Sequence, residues 1–167
     1  MVEQIKKFLS NNPNQNLKKF SDNEGIIWID WREYDEDIVS YVFQELSPKE
    51  NFKYEIRPTD KERGEDIVLK KDGKEHIIPY QDDAMDRDTT LKSVGEFIAD
   101  QYTLCWFKAS LGSDTLGFVV LKNDDYTRLL AEFGEEKVKY FFSPVTEEKA
   151  MFELDMDEVF SMIEERK

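Results

Sequence analysis

The sequence predicts a single α+β domain, with a largely antiparallel sheet of about six or seven strands and helices packed on it. Three observations predict it. Apolar residues recur at about 3.6-residue spacing in some segments and alternate in others, so both helices and half-buried strands are written into the chain. The joins between several strand-like runs are hairpin-short, and parallel strands would need crossovers of about a dozen residues or more. With 167 residues, 40% of them hydrophobic, the chain has the size of one ordinary domain and needs no disulfide or metal staple.

Val2, Ile5, Phe8 and Leu9 share one helical face, so residues 2–10 form a short amphipathic helix. Asn11-Asn12-Pro13-Asn14 breaks it, and Leu17 and Phe20 add another turn. Residues 1–22 are thus expected to be a loosely attached helical arm. Ile26-Ile27-Trp28-Ile29-Asp30-Trp31 is almost wholly large, and β-branched or aromatic, and reads as a strand buried on both faces, near the sheet centre. Asp35 is placed to cap a helix, with Glu36 and Asp37 complementing its positive start. Ile38, Val39, Val42, Phe43 and Leu46 form that helix's apolar face, and Ser47-Pro48 ends it.

Phe52, Tyr54 and Ile56 alternate with Lys53, Glu55 and Arg57 as a strand with one wet face. After a charged loop, residues 66–71 and 74–80 flank Asp72-Gly73, a pair that tolerates the positive φ angles of a type I′ hairpin turn. Pro79 suits an edge or a strand end. The acidic loop 81–90 leads into a helix capped by Asp88 or Thr89, with Leu91, Val94, Phe97, Ile98 and Tyr102 as its stripe. Residues 100–133 are the most apolar and best-punctuated part of the chain, and the rest is organised around them. They read as strand 103–109, turn 110–114, strand 115–122 and a helix capped by Asn123, with Gly134 as its C-cap. Val138, Tyr140 and Phe142 alternate, which predicts a strand or a helix–strand passage. Met156, Val159, Phe160 and Ile163 stripe a final amphipathic helix over residues 155–165. The sheet core is assigned to 26–142 and the C-terminal helical segment to 146–167.

The charge narrows the partners. There are 37 acidic and 23 basic residues, a net charge of -14. That field repels nucleic acid and attracts a basic protein. No run approaches the ~20 apolar residues that span a bilayer, and the N-terminus lacks a signal-peptide pattern. No membrane partner and a cytoplasmic location are expected, which a single cysteine also fits.

Chemistry has few places to reside. Cys105 lies mid-strand among aromatics and reads as core, because a reactive thiolate needs an exposed, electropositive setting. His76 is the sole histidine and has no nucleophile tied to it. One His and one Cys cannot compose the usual zinc sites, which leaves an oxygen-ligand Ca or Mg site as the open alternative; no metal or other cofactor is expected. Asp82, Asp83, Asp86 and Asp88 crowd one loop but lack the EF-hand register, and read as solvated. The stretch 110–117 matches no phosphate-binding glycine pattern and no nucleophile elbow. Its Ser110, Ser113 and Asp114 still form a candidate functional turn, since function concentrates on loops of rigid scaffolds. An enzyme or small-ligand pocket would join that turn to His76 and Trp28. No catalytic set is recognisable. A further candidate is a protein-binding segment, Trp31, Glu33, Tyr34, Asp35, Glu36 and Asp37, where aromatic rings sit among carboxylates as a binder of a basic protein would display them; a solvated helix start is the competing reading of the same carboxylates. A third reading is structural, with the terminal amphipathic helices pairing two copies.

Residues 108–118, followed by Tyr126, Leu129 and Glu132-Phe133-Gly134, resemble a pattern in a family of small bacterial proteins of unknown function. Trp31-Arg-Glu-Tyr-Asp-Glu-Asp-Ile resembles the same family, and the likeness covers residues 26–142. In size, acidity and class the chain is also similar to bacterial toxin-immunity proteins. That second resemblance implies an acidic inhibitor that blocks a basic toxin.

Overall fold

The computed structural model describes residues 1–11 and 13–165. In chain order its elements are α1 (Val2–Ser10), α2 (Pro13–Ser21), β1 (Ile27–Asp30), α3 (Asp35–Gln44), β2 (Lys53–Pro58), β3 (Glu65–Lys71), β4 (Lys74–Ile77) and α4 (Arg87–Ile98). There follow β5 (Tyr102–Phe107), β6 (Thr115–Lys122), α5 (Asn123–Phe133), α6 (Glu135–Phe141), β7 (Phe142–Pro144) and α7 (Met156–Glu164). This is the α+β class with seven antiparallel strands, divided between a four-stranded sheet in the order β1-β6-β5-β7 and a three-stranded sheet in the order β2-β3-β4.

The four-stranded sheet is covered on both faces. Side chains alternate across a strand, so Leu104, Trp106, Leu116 and Phe118 enter one core while Cys105, Phe107, Val119 and Leu121 enter another. The first core is closed by α3, α4 and the inner face of the three-stranded sheet, through Ile38, Val42, Leu91, Val94, Ile67 and Leu69. The second is closed by α1, α2, α5 and α6. Phe8 meets the rings of Phe20, Phe107, Phe141 and Phe142 at centroid distances of 4.7–6.0 Å. The N-terminal helices are therefore core-forming rather than a loosely attached arm: Ile5, Phe8 and Leu9 are all buried.

The central strands are β5 and β6. The Ile27–Asp30 strand, expected near the centre, lies at the edge of its sheet, paired among the described residues only with β6. Its apolarity has another cause, because Ile27 and Ile29 enter the first core while Trp28 packs against the second. The hairpin forms as expected: Asp72 and Gly73 have φ of 49° and 79°, the positive values of a type I′ turn. Of the strand or helix–strand passage expected from Val138, Tyr140 and Phe142, the passage forms: Tyr140 lies in α6, where Val138 and Phe141 are the buried pair, and β7 begins at Phe142. Three caps differ from expectation. Tyr34 precedes α3 and Asp35 is its first residue. Asp86, not Asp88 or Thr89, caps α4 by accepting the Thr89 N–H at 2.8 Å. Lys122 precedes α5, while Asn123 donates to the Ala99 carbonyl and accepts from the Thr103 hydroxyl.

Candidate protein-binding face

The segment after β1 turns sharply before α3. Asp30 Oδ1 accepts the backbone N–H of Arg32 at 2.7 Å, which closes the turn and holds the Asp30 carboxyl below its usual range. The turn projects two rings outward: Trp31 is 40% exposed and Tyr34 67%. Trp31 leans edge-on against half-buried Phe152, with centroids 5.2 Å apart. The Arg87 guanidinium lies 5.9 Å from the Phe152 ring, and its Nη2 reaches the sulfur of exposed Met85 at 4.0 Å. These contacts join Trp31, Phe152, Arg87 and Met85 into one patch. Glu36, Asp82, Asp83 and Glu153 are also exposed; Glu36 follows Tyr34 by two residues, Asp83 precedes Met85 by two, and Glu153 follows Phe152.

A buried ion pair fixes the patch from below. Asp35 is 2% exposed. Its carboxylate accepts from Arg63 at 2.5 Å, from the Thr90 hydroxyl at 2.8 Å and from the Asp86 N–H at 3.1 Å. Thr90 has one proton and two acceptors for it, the Asp35 carboxylate and the Asp86 carbonyl at 2.9 Å, so the Tyr80 hydroxyl, 2.7 Å away, donates to Thr90. Arg63 also donates to the Ala84 carbonyl at 2.7 Å, and its guanidinium stacks 3.6 Å from the Tyr80 ring centroid. A buried carboxylate demands this many donors. Asp35 thus clamps the loops before β3 and α4 onto α3, and it cannot meet a partner. Burial, followed by the charge of Asp35, pushes the Tyr80 phenol upward.

The other candidates of this segment divide. Glu33 is half-buried and accepts from Tyr41 at 2.7 Å, a bond that pushes the Tyr41 phenol up to about 12. Asp37 is half-buried and Glu36 exposed. Of the six residues singled out by sequence, Trp31, Tyr34 and Glu36 are the exposed ones. Met85, Arg87 and Phe152 were missed because they join the patch only through tertiary contacts.

The 110–114 turn is built differently. Ser110 is buried; its hydroxyl donates to the Phe107 carbonyl at 2.6 Å and accepts the Gly117 N–H at 2.9 Å. Ser113 donates to the Ser110 carbonyl at 2.8 Å, and Asp114 is exposed. Both hydroxyls brace backbone. Trp28 packs in the core on one face of the four-stranded sheet, while His76 stacks on Phe97, which packs in the core on the other face. The turn, His76 and Trp28 therefore do not converge on one pocket.

Cys105 is buried, and burial pushes its thiol upward, away from thiolate. In the acidic loop, Asp82 accepts the Ala84 N–H, Asp86 caps α4 and Asp88 is turned inward onto Met151, Phe152 and Glu153. Among the described residues, no three His, Cys, Asp or Glu side chains converge as a metal site would require. Nor is any helix among them long and apolar enough to cross a membrane. Comparison with protein-family models, with curated proteins and with solved structures finds no match.

Proposed function

We propose that the chain binds a basic protein through the acidic, ring-bearing face around Trp31 and Tyr34, as an immunity-type inhibitor in the cytoplasm would. One observation carries the reading: Trp31 and Tyr34 stand exposed on one turn, Trp31 edge-on against Phe152, with exposed Glu36 two residues after Tyr34. Tryptophan and tyrosine dominate interface hot spots because they bury large areas at small entropic cost. The turn is pre-set by Asp30 and by the Asp35–Arg63 clamp, so little ordering remains for association to oppose. The net charge of -14 steers a positive partner toward such a face.

A photo-cross-linking residue in place of Tyr34 tests this in the native host at low salt, with the same residue in place of Asp72 on the hairpin as the comparison. The Tyr34 position is expected to yield a discrete adduct with a basic protein, and the Asp72 position none. Trp31→Ala with Tyr34→Ala is expected to weaken binding of that protein by about a hundredfold or more, with association slowing as salt rises. Equal adducts from both positions, or unchanged affinity in the double variant, would refute the assignment.

A further inference from the structure

Helix α7 presents more apolar surface than the body covers. At about 100° per residue, Met156, Val159, Phe160, Met162 and Ile163 span an arc of roughly 160°. The body takes one half of it. Val159, Met162 and Ile163 are half-buried and pack against the main core. Ile163 Cδ1 lies 3.0 Å from where a Cβ on Gly112 would sit, so α7 leans on the 110–114 turn. The other half is open: Met156 is 64% exposed and Phe160 57%. The sequence places Met156, Val159, Phe160 and Ile163 on one apolar stripe; its Val159–Ile163 side packs on the body.

The helix does not need a partner to persist. Asp155 and Glu158 form a reciprocal capping box at its start. The segment before it is anchored through Met151, Phe152 and Glu153 to Asp88. Met156 and Phe160 are one turn apart, the i and i+4 spacing of anchors in helix-to-helix recognition. Next round the helix come Glu164 and Asp157, both exposed, so carboxylates border the open apolar edge.

We propose that this edge of α7 docks a Lys/Arg-rich amphipathic segment of another protein, a surface distinct in its residues from the Trp31–Tyr34 face. The bordering charges select this occupant. A second copy on a two-fold axis would set Asp157 and Glu164 against the same carboxylates, within a chain of net charge -14. An anionic bilayer surface is repelled for the same reason. A basic amphipathic helix places apolar side chains on Met156 and Phe160 and cations over Asp157 and Glu164, and methionine adapts its shape to such ligands.

Fluorescence anisotropy with the full chain tests the proposal. The probes are a synthetic amphipathic Lys/Leu helical peptide, a shuffled peptide of the same composition, and phosphatidylserine-containing vesicles. The amphipathic peptide is expected to bind at least about tenfold tighter than the shuffled one. Met156→Ser with Phe160→Ser is expected to weaken it by about tenfold or more. Asp157→Asn with Glu164→Gln should weaken it several-fold and flatten its salt dependence, and this second pair decides the matter should the first disturb the helix. Trp31→Ala with Tyr34→Ala should leave it unchanged, so the two surfaces stand or fall separately. Equal binding of both peptides, or full binding by both α7 variants, would overturn the proposal. So would a concentration-dependent dimer, or vesicle binding, that is abolished by Met156→Ser with Phe160→Ser.

Discussion

The Asp88 carboxylate accepts three successive backbone N–H groups, from Met151, Phe152 and Glu153, at 3.0–3.2 Å and shielded from water. Hydrogen bonds to an ionised group are roughly twice as strong as neutral ones, and buried donors left unpaired cost ~1–3 kcal/mol each. Asp88→Asn keeps one acceptor oxygen but points amide donors at amide donors. We expect it to lose ~2–3 kcal/mol in urea unfolding, with amide exchange at 151–153 rising before that of the sheet. Exposed Asp114 is the comparison, and Asp114→Ala should stay within ~0.5 kcal/mol. A loss no larger in Asp88→Asn would mean that this carboxylate does not hold the C-terminal segment. Sequence placed Asp88 at a helix start, which is correct to two residues, because capping is local chemistry. Its partners lie more than 60 residues away, and no local pattern announces them. Asp35 is the same case: its acidity at a helix start was legible, and its burial beneath Arg63 was not.

At the scale of elements, legibility followed how local the determinants are. The Asp72-Gly73 hairpin needs only its own turn and flanking strands, and it stands where the sequence put it. The helix over 123–133 and its end at Gly134 were legible for the same reason, through four apolar residues at helical spacing and a glycine at φ 85°. Helix α6 was ambiguous, because Val138, Tyr140 and Phe142 fit period two while Val138 and Phe141 fit the helix; packing of the latter pair in the second core decides. Gly95 in α4 carries a contact that no pattern reports. A Cβ there would stand 2.7 Å from Val145 Cγ2 and 3.3 Å from Thr146 Cγ2. Helix propensity favours alanine by ~1 kcal/mol, whereas overpacking a dense core costs ~1–3 kcal/mol. The clash therefore wins, and Gly95→Ala should destabilise by ~1 kcal/mol in chemical denaturation. In a Val145→Ala background the same change should cease to destabilise, because the blocking methyl is gone. A cost that persists there would place the clash at Thr146 Cγ2 rather than at Val145.

For the whole molecule, the class and strand number were legible, but the division into two sheets was not. It rests on pairings such as Ile29 with Leu116, which join distant parts of the chain. The charge acts at this scale too, and two opposing terms set stability against pH. On the outer face of the three-stranded sheet, Lys70 bonds Glu55 at 2.6 Å and Glu75 at 3.1 Å, while Arg57 bonds both carboxylates. Glu55 and Glu75 are held below the usual carboxylate range, first by Lys70 and then by Arg57; Glu135 is held down by Lys139 and Asp30 by the Arg32 N–H. A carboxyl whose value is depressed on folding stabilises the fold above its unfolded value, and that contribution disappears as pH falls through the folded value. The loss therefore lies below about pH 4. Against it stands the repulsion of a net charge of -14 with a pI near 4.5, which weakens as pH drops from neutral and the carboxylates begin to protonate. Thermal stability should accordingly rise from pH 7 toward about pH 5 and fall steeply below about pH 4. Exposed ion pairs contribute only ~0–1 kcal/mol each, so at pH 7 screening of the net repulsion should outweigh their weakening. Tm should rise as salt is added up to roughly 0.15 M, where the Debye length is ~8 Å. A Tm that falls with salt at pH 7 would show instead that the Arg57–Glu55–Lys70–Glu75 lattice outweighs the repulsion of the acidic surface, and Lys70→Met would then remove most of that salt dependence.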